Sequence, residues 1–301
     1  MSVARERTVY VIAGPTAVGK TAIAIALAQR LGTSIVSADS RQCYCEMTIG
    51  TAKPGKEELQ QVPHYFIDTH HIQDALTAAD YETLALGYLE EIFATKDTAV
   101  VTGGTGLYIK ALCEGLDNMP EIDDAIAHGV NEDYEEHGLP WLQQSVRAED
   151  PDFYGQAEVK NPARLLRALI FKRSTGESIV NFRTGAKKQR NFKIIKVGLE
   201  LPREVLYERI NQRVDHMMAA GLLQEVEQLY PHRQLKNLQT VGYTELFDYL
   251  DENYSLEEAV AKIKQNTRHY AKRQMTWFKK DAEMQWLPAD AADVVGQILS
   301  L

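Results

Sequence analysis

Apolar positions in the first hundred residues fall into short β-branched runs separated by longer stretches with helical spacing. Residues 9–13, 34–37, 65–68 and 98–102 read as strands, and residues 21–31 and 79–94 as helices. Such alternation, with runs apolar on both faces, predicts a parallel sheet covered by helices on each side. From about residue 117 to 190 the spacing is helical throughout, anchored by Trp141, Leu142, Leu165, Leu166, Ala168, Leu169, Ile170 and Phe171. Residues 193–199 return to strand, and helices over 203–220, 222–230, 242–250 and 256–280 follow. The expected organisation is an α/β core from residues 1–116 and 191–301 with a mostly helical insertion at 117–190. No repeat or low-complexity linker interrupts it.

Between the first strand and the first helix stands Gly14-Pro15-Thr16-Ala17-Val18-Gly19-Lys20-Thr21, a G-x-x-x-x-G-K-T phosphate loop in its proper context. Glycine lets the backbone turn so that successive N–H groups face an anion, with the positive end of the helix dipole behind them. Lys20 adds a mobile cation, and Thr21 a hydroxyl suited to Mg²⁺. The core is therefore expected to be a P-loop NTPase-like sheet whose ligand carries a diphosphate or triphosphate.

Composition narrows the class. The 301 residues are 45% hydrophobic and 25% charged, as in an ordinary globular protein. No apolar run approaches the roughly 20 residues of a membrane span, and the segment from Met1 to Arg7 lacks a signal-peptide core, so a cytoplasmic protein is expected. Cys43, Cys45 and Cys113 are expected to be reduced structural thiols, because a lone Cys-x-Cys lacks a second ligand pair for zinc. The net charge of −9 argues against a protein that blankets nucleic acid, but its distribution is uneven. Lys262, Lys264, Arg268, Lys272, Arg273, Lys279 and Lys280 gather in one stretch with Tyr270, Trp277 and Phe278 among them, while acids concentrate between Glu114 and Glu136. A chain so segregated can hold a polyanion on one face. Trp277 and Phe278 themselves read as core.

Asp39 follows the second strand, within Ser37-Ala38-Asp39-Ser40-Arg41-Gln42. A carboxylate at that strand end holds Mg²⁺, accepts a proton from a nucleophile, or caps a turn. The strand at 98–102 runs into Gly103-Gly104-Thr105-Gly106 with no acid where a nucleotide hydrolase would place one, which favours a diphosphate used as leaving group.

Six ordered motifs then resemble the bacterial tRNA dimethylallyltransferases: the phosphate loop with Asp39-Ser40-Arg41-Gln42, Ile49-Gly50-Thr51-Ala52-Lys53-Pro54, Val62-Pro63-His64, Gly103-Gly104-Thr105-Gly106-Leu107-Tyr108, Val241-Gly242-Tyr243, and Lys272-Arg273-Gln274-Met275-Thr276-Trp277-Phe278. The resemblance implies transfer of a dimethylallyl group from dimethylallyl diphosphate to N6 of adenosine 37, beside the tRNA anticodon. It implies Asp39 as general base, with Thr16 and Arg213 at the bridging region of the donor. Read alone, Arg213 could equally be a surface ion pair on a helix. The donor diphosphate would sit on Gly14, Pro15, Thr16, Ala17, Val18, Gly19, Lys20 and Thr21, with Mg²⁺ at Thr21.

Family positions facing tRNA fall on Asp39, Ser40, Arg41, Gln42, Thr105, Ala163, Arg164, Leu165, Leu166, Arg167, Gln239, Thr240, Val241, Gly242, Tyr243, Thr244, Lys272, Arg273, Gln274, Thr276 and Lys279. Arg164 and Arg167 lie one helical turn apart, a spacing suited to neighbouring phosphates. Ala127 stands where many members carry an arginine facing tRNA, so one phosphate contact is expected to be missing. The resemblance further implies a monomer that flips the base into a channel between the sheet domain and the helices. Rival classes share parts of this pattern. A nucleotide kinase would need an arginine-rich lid, an AMP-prenylating enzyme would not need the basic helix, and a non-catalytic RNA binder would not need Asp39.

Overall fold

The computed structural model describes residues 6–301; the N-terminal reading at residues 1–5 lies outside them. The chain forms two compact units, one of residues up to Glu114 together with Gln189–Leu301, the other Gly115–Lys188.

The first unit runs β1 (Thr8–Ala13), α1 (Lys20–Leu31), β2 (Ile35–Ser37), α2 (Lys56–Gln61), β3 (His64–Tyr65), α3 (Ala78–Phe93), β4 (Thr98–Gly103) and α4 (Gly106–Glu114). The second unit contributes α5 (Asp124–Glu149), α6 (Pro151–Tyr154) and α7 (Pro162–Thr175). The first then resumes with β5 (Lys193–Glu200), α8 (Arg203–Ala219), α9 (Leu222–Leu229), α10 (Thr244–Leu250), α11 (Leu256–Phe278), β6 (Gln285–Pro288) and α12 (Val294–Leu299).

All six strands are parallel, in the order β3-β2-β4-β1-β5-β6. Their pleat sends Val9, Val11, Ala13, Ala99 and Val101 into one core and Ile12, Val100, Ile195 and Val197 into the other. Both faces are buried, which is why the strands read as unbroken apolar runs rather than alternating ones. The glycine-rich ends of β1 and β4 thus come out at the same carboxyl edge of the sheet, where open α/β sheets take their ligands.

Three expectations need correction. The strand predicted at 65–68 ends at Tyr65, because Phe66 (φ 63°) and Asp68 (φ 53°) take left-handed backbone, which no strand continues through. Phe66 is nevertheless buried, its ring against Tyr81 and Tyr108. Helices α2, α4 and α12 and strand β6 were not anticipated. Trp277 is 44% exposed whereas Phe278 is buried, since the two point from α11 in different directions.

The second unit has its own core around Val130, Leu142, Val146, Leu165, Leu169 and Phe171. Gly138 (φ 71°), two residues before Pro140, breaks α5 into two helical pieces. Gly115 (φ 76°) lies against the Lys188 side chain so closely that a Cβ there would overlap it, so the chain enters and leaves this unit side by side. All three cysteines are free thiols, with Cys43 and Cys113 buried. No helix among the described residues is long and apolar enough to cross a membrane.

Candidate active site

The phosphate loop occupies the turn from β1 into α1. Gly14 (φ 151°) passes close to β5, where a Cβ would come within 2.8 Å of the Leu199 carbonyl oxygen. Gly19 (φ 105°) caps α1 with no side-chain acceptor, so the first-turn N–H groups remain available to an anion. Val18 differs: its side chain is core and its N–H is turned toward the Pro15 carbonyl at 3.4 Å.

Lys20 Nζ donates to the carbonyl oxygens of Gly14 (3.0 Å) and Pro15 (2.8 Å). Burial, and then repulsion from Arg213, lower its pKa to about 7, with Asp39 opposing. Arg213, on α8, is likewise held below its usual range by burial, and Asp39 again opposes. Arg213 therefore belongs to the charge set of the loop rather than to a surface ion pair.

Asp39 caps its own turn and also lines a cavity. Its Oδ1 accepts from the N–H groups of Arg41 (2.9 Å) and Gln42 (3.3 Å), fixing the turn after β2. Its Oδ2 accepts no hydrogen bond among the described residues, and the residue lines a cavity of about 790 Å³ that Thr16, Lys20, Thr21 and Arg213 also line. The same cavity is walled by Arg41, Gly50, Ala52, Thr102, Gly103, Gly104, Val214, Met217, Val241, Gly242, Ile263 and Tyr270. It therefore joins a cationic phosphate end, one unused carboxylate oxygen and an apolar flank, all within the first unit. Arg41 Nε is buried without an acceptor, a donor aimed at something the protein does not supply. Tyr270, 37% exposed, also lines the cavity.

Several residues expected to touch tRNA do other work. Gln274 is only 6% exposed; its Oε1 accepts from the Thr16 N–H (2.9 Å) and its Nε2 donates to the Gly104 carbonyl (2.9 Å). It pins the phosphate loop to the end of β4 and to α11. Gln42 spends its amide on the carbonyls of Thr51 and Ala52, both at 3.2 Å. Tyr243 is fully buried and donates to Glu225 (2.6 Å), and Leu165 is fully buried in the second unit, so neither offers surface to RNA. Thr105 accepts from the Ser40 N–H at 3.0 Å. Thr240, Val241 and Gly242 line the cavity, Gln239 is exposed, and the Thr244 hydroxyl turns back to the Thr240 carbonyl. Lys272, Arg273, Thr276 and Lys279 are exposed on and just beyond α11, although Lys279 pairs with Glu200 at 3.4 Å. Ala163, Arg164 and Arg167 are exposed on α7, Leu166 is half-buried, and Ala127 packs against the second unit's core.

Glu225, unmarked by any motif, is the main residue that sequence reasoning missed. Its carboxylate accepts from the N–H groups of Thr48 (3.1 Å), Ile49 (2.7 Å) and Gly50 (3.0 Å) as well as from Tyr243. It thereby fixes the loop that supplies Gly50 and Ala52 to the cavity. Glu114, Asp281 and Glu283 also converge, but Lys196 Nζ sits among them at 3.2, 2.8 and 2.9 Å, so an ammonium fills that acidic group.

A parallel sheet, a phosphate loop at its carboxyl edge and a cavity pairing that loop with a carboxylate define a P-loop α/β protein. Residues 42–281 match the family model described as IPP transferase, and the chain belongs to that family. It is 48% identical over 279 residues to a tRNA dimethylallyltransferase of Christiangramia forsetii, covering 93% of this chain and 92% of the relative. Over 292 residues it is 46% identical to tRNA dimethylallyltransferase 1 of Phocaeicola vulgatus, covering 97% of each. Among solved structures it resembles the tRNA isopentenylpyrophosphate transferase of Bacillus halodurans, at 36% identity and TM-score 0.70, covering 98% and 94% of the two chains. It also resembles a eukaryotic dimethylallyltransferase solved acting on tRNA, at 25% identity and TM-score 0.77, covering 98% and 77%.

Proposed function

We propose that this protein transfers the dimethylallyl group of dimethylallyl diphosphate to N6 of adenosine 37 in tRNA, releasing diphosphate. The observation that carries this reading is the single cavity lined by both the phosphate loop and Asp39. The relatives' names support tRNA as the acceptor and a dimethylallyl group as what is transferred.

The chemistry follows from the charges. As the allylic carbon–oxygen bond breaks, negative charge grows on the diphosphate and positive charge spreads over the allyl group. Loop N–H groups, Lys20 and Arg213 stabilise the departing anion. The adenine N6 lone pair, delocalised into the ring, forms the new carbon–nitrogen bond as the N6 proton passes to the Asp39 carboxylate. The Thr16 hydroxyl would donate to the bridging oxygen. Val214, Met217 and Ile263 offer an apolar wall to the allyl group.

Magnesium fits the donor set: Thr21 lines the cavity beside Lys20 and its hydroxyl has no partner among the described residues. Bound there with diphosphate oxygens, Mg²⁺ would neutralise charge on the leaving group. The enzyme is further proposed to act as a cytoplasmic monomer.

Incubating the protein with unmodified tRNA and dimethylallyl diphosphate, followed by mass spectrometry of the digested nucleosides, tests the proposal. N6-dimethylallyladenosine from the anticodon-loop fragment is expected. Its absence, or prenylation of free AMP in preference to tRNA, would overturn it.

A further inference from the structure

One N–H group of the phosphate loop is turned away from the anion. The peptide joining Pro15 to Thr16 is held at both ends: its carbonyl accepts from Lys20 Nζ at 2.8 Å, and its N–H donates to Gln274 Oε1 at 2.9 Å. A planar trans peptide points these two groups in opposite directions, so the two bonds fix its rotation and with it the direction of the Thr16 side chain. Thr16 therefore has only its hydroxyl to offer a ligand. Thr16 lines the cavity, and that hydroxyl has no partner among the described residues.

Gln274 is held firmly enough to act as a strut. It is 6% exposed, its Nε2 donates to the Gly104 carbonyl at 2.9 Å, and a Cβ at Gly104 would come within 2.2 Å of that nitrogen. Lys272, Arg273, Thr276 and Trp277 on the same helix are exposed, whereas Gln274 turns inward to the loop. Donor binding shifts the balance of restraints. A diphosphate draws the Lys20 ammonium away from the Gly14 and Pro15 carbonyls. The Pro15–Thr16 peptide then keeps its bond to Gln274 and one long bond, 3.4 Å, from the Val18 N–H to the Pro15 carbonyl. Ala17, the next residue, has left-handed backbone (φ 64°), a conformation that a residue with a Cβ holds only when its surroundings enforce it.

We propose that Gln274 is a positioning residue for Thr16, holding the loop so that the Thr16 hydroxyl meets the bridging oxygen of the donor once Lys20 has turned to the phosphates. The inference rests on the transfer reading above. Gln274 touches neither the donor nor the base in this role and acts through Thr16.

The test measures single-turnover transfer from dimethylallyl diphosphate to an anticodon stem-loop transcript by the full chain, with RNA affinity read separately by fluorescence anisotropy. The proteins are wild type, Gln274→Met, Gln274→Asn, Gln274→Glu, Thr16→Val, and Thr16→Val combined with Gln274→Met. Methionine keeps the length of the side chain without its acceptor, and asparagine is too short to reach. Each is expected to slow transfer about 10- to 100-fold with RNA affinity unchanged, and either suffices if the other does not fold. Gln274→Glu, which keeps an oxygen for the Thr16 N–H, should recover most of the rate. In the combined variant, Gln274→Met should slow Thr16→Val no further, because the group it positions is gone. Equal slowing in both backgrounds, a wild-type rate in the methionine and asparagine variants, or a loss of RNA affinity with the rate intact would overturn the proposal. A packing role alone would lower the melting temperature without this dependence on Thr16. A wild type that transfers nothing would overturn the transfer reading and this inference with it, whereas with an active wild type the variants decide on Gln274 alone.

Discussion

Asp39 divides its two oxygens between tasks: one fixes its own turn and the other faces the cavity. Replacing it with asparagine keeps a capping oxygen but removes the base. Asp39→Asn is expected to lower turnover by about 10²- to 10⁴-fold with little change in donor KM, read by nucleoside mass spectrometry. Lys20 gives a second prediction. With its pKa near 7, it is mostly neutral in the empty site at pH 8.5, whereas a bound diphosphate favours the ammonium. Donor binding at pH 8.5 should therefore take up a proton, weaken as pH rises above 7, and lose the uptake in Lys20→Met. Calorimetry in buffers of different ionisation enthalpy measures this, and uptake that persists in the variant would refute it. These two residues were legible in the sequence because each sits in a local signature, a strand end or a glycine-rich turn. Gln274 was visible but misjudged. Its partners Thr16 and Gly104 lie 258 and 170 positions away, a separation that no local pattern encodes.

Among the elements, the strands of the sheet centre were readable because burial on both faces demands continuous β-branched runs. Edge strands β3 and β6 were less so, being short and half-exposed. Helix α4 was hidden by the glycines before it. Gly103 must pass against the Ala38 backbone and Gly106 against the Trp277 ring, so these glycines reflect tertiary crowding as much as turn formation. The loop at 48–50 owes its shape to α9 through Glu225. Glu225→Ala strands three backbone donors and the Tyr243 hydroxyl, and is expected to cost about 2 kcal/mol in urea denaturation and to raise donor KM. Glu225→Gln, which keeps acceptor oxygen, should recover part of both. An alanine variant with wild-type stability and KM would exclude the clamp.

At the scale of the whole molecule, sheet, phosphate loop and cavity all belong to one unit, and the exposed Arg164 and Arg167 of α7 to the other. Replacing residues 116–187 with a short Gly-Ser linker should leave a folded protein still stabilised by diphosphate in thermal melts, yet with tRNA affinity sharply reduced. Retention of full tRNA affinity would show that the second unit contributes none. The charge distribution adds a solution property: despite a net charge of −9, association with tRNA should weaken steeply with salt, because local cations rather than the average charge meet the phosphates.

The side-by-side crossings at Gly115 and Lys188 bear on how this architecture diversifies. A unit whose first and last residues lie side by side can be lengthened, trimmed or exchanged while the host sheet keeps its hydrogen bonding. Chimeras joined at those two residues should accordingly inherit the nucleic-acid preference of the inserted unit's donor and the prenyl chemistry of the recipient.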